Sequence, residues 1–350
     1  PIPDQECIEA FAARHRVALL MDDPATGDRP PTLLENPPAL AGGQDLVDFY
    51  QTPGYRAWDP SIVVFLSFTL FFAMILSDAG YASVFALALL AGWRRLGASP
   101  LGRRLRVLAV ALVGGALVWG ILAGSYFGVT PPEGSLPAAL RLFDINDFET
   151  MMRLSVGIGV VHIAIANASM ARQLWGTPRA SVALAWIAVL LGGFLLWLGE
   201  TGLGRPLSWV GTAAVVAGLA AVFWFAGARP VRRPLDALLW GLAGLRALTD
   251  VTKAFGDVLS YLRLFALGLA STSLALTFND LAQQAAAAYP GLGLLLALLI
   301  LVVGHLLNLA LSLMSGVVHG LRLNFIEFYN WGLSEEGYPF KAFARREETQ

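Results

Sequence analysis

The 350 residues are 56% hydrophobic and only 14% charged, with a mean hydropathy of +0.62 and a net charge of −1. An ordinary soluble domain carries about 25% charged residues, so this composition excludes one and points to a membrane protein. The charge balance gives no footing for nucleic acid, and the single cysteine, Cys7, excludes a disulfide framework and a cysteine-based metal site.

Residues 1–59 hold ten acidic and four basic side chains, a net −6 against −1 for the whole chain, which leaves +5 beyond residue 59. No charged-then-apolar leader opens the chain, so no signal peptide is expected. The sequence reads as the C-terminal part of a longer polypeptide. "QECIEAFAARH" has helical spacing, and "RVALLMDDP" reads as a strand ending in a turn. Together they look like the remnant of a soluble α/β module. "DRPPTLLENPPALAGG" reads as a Pro/Gly-rich linker. We therefore expect a soluble start over 1–59, a membrane domain over 60–331 and a cytoplasmic tail over 332–350.

Apolar runs near the ~20 residues that span a bilayer follow at about 60–77, 79–96, 106–128, 151–172, 180–199, 207–227, 240–285 and 292–330. The fold class is thus all-α and polytopic, with about eight transmembrane helices. The last two exceed one perpendicular crossing and are expected to be long and tilted. Arg94, Arg95, Arg103, Arg104 and Arg106 fall between spans two and three, Arg172 and Arg179 in a later connection, and Arg229, Arg232 and Arg233 in the next. Lys341, Arg345 and Arg346 lie in the tail. The positive-inside rule puts these loops and both termini in the cytoplasm. No inverted repeat is visible, which weighs against a common secondary-transporter architecture.

An ionisable side chain inside a membrane is costly and is a functional candidate by default. In the last span His305, Asn308, Ser312, Ser315, His319 and Arg322 recur at steps of three and four, which puts all six on one helix face. Serines and asparagines of this kind often join helices; two histidines and an arginine on the same stripe favour a hydrated, ion-conducting face. In span seven Gly256, Ser260, Arg263 and Ala270 share a face, with Ala266 at its edge. Small residues there let another surface approach Arg263. The alternative is internal packing with Arg263 held by a carboxylate of this chain. Asp257 is nearest in sequence, but six residues, about 600° of rotation, place it on a different face. Asp250, Lys253 and Asp257 form a neighbouring stripe, either a solvated helix end or an ion entry. Asp78, in "LSDAGYA", is read first as a helix cap. His162, Asn167 and Glu327 are weaker candidates, Glu327 as an interfacial residue. No Gly-rich phosphate loop, HExxH or nucleophile elbow occurs, so no cofactor, metal or catalytic site is expected in the chain itself.

"SYLRLFALGLA" (260–270) and "HGLRLNFIEFYN" (319–330) resemble the two arginine motifs of the membrane subunit of rotary V/A-type ATPases, subunit a, called subunit I in bacteria and archaea. "LSDAGYA" resembles that family's motif between its first two spans, with Ser77 where Gly is usual. "PPTLLENP" and "YQTPGYRAWDP" resemble the stretch just before its membrane domain. The resemblance implies that Arg263 is the stator arginine facing a rotor ring of proteolipid (c/L) subunits, with Arg322 its companion. It implies peripheral-stalk contacts through an N-terminal arm, a central-stalk adaptor subunit and a bacterial or archaeal plasma membrane. Some relatives carry His where this chain has Ser271, and some carry Glu where it has Ser312, so those relay side chains do not transfer.

The implied mechanism gives Arg263 its purpose. A ring carboxylate reaching Arg263 is favoured in its ionised form and releases its proton to one half-channel. The next carboxylate is protonated from the other half-channel before it meets lipid. Each proton falling through 100 mV yields ~2.3 kcal/mol, so several are needed per ATP. A secondary transporter or channel is the alternative class, and would need its own mid-membrane carboxylate. A structural membrane anchor is the third.

Overall fold

A computed structural model describes residues 5–22, 25, 27–227, 234–288 and 291–341. The Arg229, Arg232 and Arg233 loop and the Arg345 and Arg346 tail lie outside the described residues. The chain runs through α1 (Gln5–His15), α2 (Ala41–Tyr50), α3 (Ser61–Leu76), α4 (Ala79–Leu96), α5 (Pro100–Ala123), α6 (Leu136–Ala139), α7 (Phe148–Gln173) and α8 (Pro178–Leu198). It continues through α9 (Arg205–Ala226), α10 (Pro234–Leu248), α11 (Asp250–Leu259), α12 (Leu262–Ala288), α13 (Leu292–Arg322) and α14 (Tyr329–Gly332). Two π-helical segments, Gly199–Leu203 and Leu323–Phe328, extend α8 and α13.

The strand expected after α1 is not present among the described residues. Residues 17–22 pair with no neighbour and Val17, Leu19, Leu20 and Met21 are exposed. A strand needs a partner edge to satisfy its backbone, and none is present among the described residues. The Pro/Gly-rich stretch is not a free linker either. Thr32 exchanges backbone hydrogen bonds with Tyr338 and Phe340 at 2.9 Å, and the Trp58 indole donates to Gly332 O at 2.8 Å. Gly43 lies so close to α3 that a Cβ there would sit 2.3 Å from Ser61 O.

Six helical stretches are long and apolar enough to cross a membrane: Pro100–Ala123, Phe148–Gln173, Pro178–Gly202, Arg205–Ala226, Pro234–Ala288 and Leu292–Gly332. Ser61–Leu76 is apolar but has 16 residues, about 24 Å of helix. The third run is shifted from its expected place. Ser99 Oγ accepts from Gly102 N at 3.0 Å and Pro100 starts the helix, while Gly124 at φ +67° stops it. The run 240–285 is not one straight helix. Thr249 and Tyr261 sit in i→i+3 turns, where Thr249 Oγ1 bonds back to Arg246 O at 2.6 Å and Ser260 Oγ to Gly256 O at 3.1 Å. Such back-bonding bends helices. The break lies immediately before Arg263.

α3 packs on α5, α12 and α13, α4 on α5, α7 on α8, α11 and α12, and α8 on α9, which meets α10. The main apolar core joins Phe71, Ile75, Ile163, Trp186, Tyr261, Leu264 and Phe328. α13 approaches closely because its buried row is small. Gly304 faces the Phe278 ring, Gly316 the Phe72 ring and Gly320 the Phe68 ring. Its far side leaves Leu295, Leu299, Val302, Leu306 and Val318 exposed, as in a helix that meets lipid or another subunit.

Candidate functional site

Arg263 emerges from the tightened turn at the head of α12. Tyr261 N bonds to Val258 O at 3.2 Å, Arg263 N to Ser260 O at 3.3 Å and Leu264 N to Tyr261 O at 3.0 Å. Tyr261 is fully buried under this turn, and a Cβ on Gly159 would sit 2.6 Å from its ring. Burying Tyr261 leaves Arg263 half-exposed on the other side. No ion pair holds Arg263 among the described residues, and its Nη1 is buried without a hydrogen-bond partner. Asp257 does not reach it; its Oδ2 accepts the Trp331 indole N–H at 2.7 Å, and Lys253 stands 5.0 Å over the Trp331 ring. Asp250 is exposed. Around Arg263 the expected small face is open: Gly256, Ala266 and Ala270 are exposed, and nothing lies within 4 Å of the place a Cβ would occupy on Gly256.

Arg322, at the end of α13, is exposed and electrostatically coupled to Arg263. Glu327 was read as interfacial; it is only 2% exposed, and its Oε2 has no hydrogen-bond partner. It lies in the π-helical segment Leu323–Phe328, seven residues beyond the buried Gly320 and three beyond the buried Asn324, so it continues the inward row of α13. There it interacts with both Arg263 and Arg322, and with Ser260. His319 is half-buried and feels both arginines.

The stripe on α13 divides. Its first part is a hydrogen-bonded seam. Asn308 Nδ2 donates to Tyr81 Oη at 2.9 Å and to Ser271 O at 2.8 Å, and the Ser271 and Ser312 hydroxyls pair at 2.7 Å. His305 Nδ1 meets Tyr81 Oη at 2.8 Å, and its Nε2 meets Asn279 Oδ1 at 2.9 Å. Asn279 Nδ2 in turn donates to Phe127 O at 2.9 Å. The second part, Ser315, His319 and Arg322, is half-buried to exposed and runs toward Arg263.

Asp78 is the N-cap of α4 and organises the loop after α5. Its two oxygens accept from Tyr81 N at 3.0 Å, Phe127 N at 2.9 Å, Gly128 N at 2.8 Å and Ser125 Oγ at 2.7 Å. The preceding Ser77 adopts φ +46°, where a glycine would be unstrained. His162 is buried, with Nδ1 2.7 Å from Tyr261 Oη, its ring stacked on Phe328, and Nε2 unpartnered. Asn167 donates to Ile163 O at 3.0 Å. Residues missed in the sequence are Tyr81, Tyr261, Ser271 and Asn279. Tyr81 and Tyr261 stood inside quoted motifs, adjacent to the residues chosen. No group of three or more potential metal ligands occurs among the described residues.

No family model matches the chain. Individual proteins do. A V-type ATP synthase subunit I from Chlamydia pneumoniae is 29% identical over 89% of this chain and 54% of its own length. A V-type ATP synthase subunit I 1 from Treponema pallidum is 28% identical over 99% of this chain and 57% of its own. An A-type ATP synthase subunit I from Methanocaldococcus jannaschii is 27% identical over 91% of this chain and 50% of its own. The chain therefore spans about half the length of these relatives. Over nearly all of its own length it is homologous to proteins named subunit I of the V-type and A-type ATP synthases, the family its arginine motifs resemble.

Proposed function

We propose that this chain is the membrane part of a rotary ATPase stator, and that Arg263 couples proton transfer to rotor movement. The observation that carries this is Arg263 itself. It is a permanent charge in an apolar region, without an internal ion pair among the described residues, beside an open face of Gly256, Ala266 and Ala270. Such a charge is retained for a partner. That partner is a rotor carboxylate. Arg322 and the buried Glu327 fix the field around it.

Two half-channels follow from the polar residues. The file Asn279–His305–Tyr81–Asn308–Ser271–Ser312 leads inward from the loop after α5. Ser315 and His319 continue it toward Arg263. On the other side Asp250, Asp257 and Ser260 line the approach along α11. The Arg-rich loops orient this second side toward the cytoplasm. In this reading α3 and α4 also cross the membrane, giving eight crossings with both ends cytoplasmic.

The test is Arg263→Gln in the assembled complex. Nucleotide binding by the headpiece and assembly persist, while ATP-driven proton pumping is abolished. Arg263→Lys is also severely impaired, because Lys lacks the planar fork and deprotonates when buried. Normal pumping in the Gln variant would refute the stator-arginine reading.

A further inference from the structure

A cavity of about 710 Å³ lies at one end of the helix bundle, between the C-terminal ends of α7 and α9, the start of α8, and α10 and α14. It is separate from the Arg263 face. Its walls are aromatic: Trp186, Phe225, Trp240 and Trp331. Arg179, Asn167 and Ser334 supply side-chain polarity, and among the described residues no acidic side chain lines it. We propose that this cavity binds an anionic phospholipid, with the phosphate at Arg179 and the acyl chains along the indoles.

Three observations converge on that occupant. Arg179 makes no ion pair among the described residues, so its charge is available. Arg179 also stands in the first turn of α8. There Thr177, at the N-cap position, gives its hydroxyl to Leu174 O at 2.7 Å and caps no backbone N–H. The positive end of a 21-residue helix is thus left open beside an arginine. Third, Trp186 is 3% exposed and lines the cavity, and its indole N–H, without a partner among the described residues, is not sealed from the space around it. An unpaired arginine beside aromatic walls matches a molecule with an anionic head and apolar chains. A free phosphate would leave the walls unfilled, and a neutral lipid would leave Arg179 unanswered. Basic pockets between membrane helices bind such headgroups. This assignment is independent of the rotary reading and needs only a bilayer.

The experiment is lipid analysis by native mass spectrometry of the complex carrying the full-length protein, purified in a mild non-ionic detergent. The wild type is expected to retain phosphatidylglycerol or cardiolipin. Arg179→Gln should lower that retention about fivefold, the effect of one basic residue at an anionic surface. Ala243→Phe, which fills the cavity, should abolish it. The delipidated wild type should regain phosphatidylglycerol but not phosphatidylcholine from mixed micelles. Three results would overturn the proposal: equal retention in wild type and Arg179→Gln, equal uptake of phosphatidylcholine, or no retained lipid in the wild type. Should Ala243→Phe fail to assemble, Arg179→Gln decides.

Discussion

Ser271 and Ser312 share a buried hydrogen bond of 2.7 Å across the α12–α13 seam. The two hydroxyls satisfy each other. Removing one leaves the other buried and short of a partner, at a cost of ~1–3 kcal/mol. Ser271→Ala and Ser312→Ala should each lower the thermal midpoint of the complex, and the double variant should be no worse than the worse single. Additive losses in this cycle would show that the hydroxyls act separately.

Tyr81 joins His305 to Asn308, with its hydroxyl 2.8 Å from His305 Nδ1 and 2.9 Å from Asn308 Nδ2. If the file conducts protons, Tyr81→Phe interrupts it without changing the core shape. Proton flux should fall roughly fivefold, as expected for loss of a hydrogen bond of about 1 kcal/mol. His305→Leu and His319→Leu should slow flux as well, with assembly intact. Unchanged flux in all three variants would leave the stripe as a helix seam only.

Asp78 accepts four hydrogen bonds while only 1% exposed. Asn offers one acceptor oxygen, and its amide would face backbone N–H groups. Asp78→Asn should therefore destabilise the subunit by ~1–3 kcal/mol, seen as reduced yield and a lower thermal midpoint. Per assembled complex, pumping should stay near wild type. A stable Asp78→Asn complex with lost pumping would instead place Asp78 in the ion path.

Most membrane helices were legible because apolar runs are local signals, whereas the start of α5 was misplaced although the Ser99–Pro100 cap is local too. The stripe on α13 was legible as a face, since three- and four-residue steps fix direction. Which half of it is seam and which half open was not legible. That depends on Tyr81, Ser271 and Asn279, which arrive from other helices. The strand expected over residues 16–24 is not seen for a related reason: apolar β-formers need a partner edge, which sequence pattern alone does not supply and the described residues do not contain. Glu327 follows the buried Gly320 by seven residues, the ordinary helical spacing, so its inward direction was legible; its depth of burial was not, because that depends on the helices packed over it.

Glu327 carries the last prediction. It is a buried carboxylate with one unpartnered oxygen, near an Arg263 that also has an unpartnered buried nitrogen. The two attract each other without closing an ion pair. That arrangement suits an arginine which answers to a moving external carboxylate. Glu327 lowers the cost of keeping the charge in place, yet leaves the guanidinium free to turn outward. Glu327→Gln preserves shape and removes the counter-charge. Assembly should persist, ATP-driven pumping should fall, and Arg263→Gln/Glu327→Gln should pump no worse than Arg263→Gln alone, since the two act through one charge. Wild-type pumping in Glu327→Gln would reduce the residue to packing. A double variant that fails to assemble, where each single variant assembles, would show that the pair serves the fold rather than the coupling.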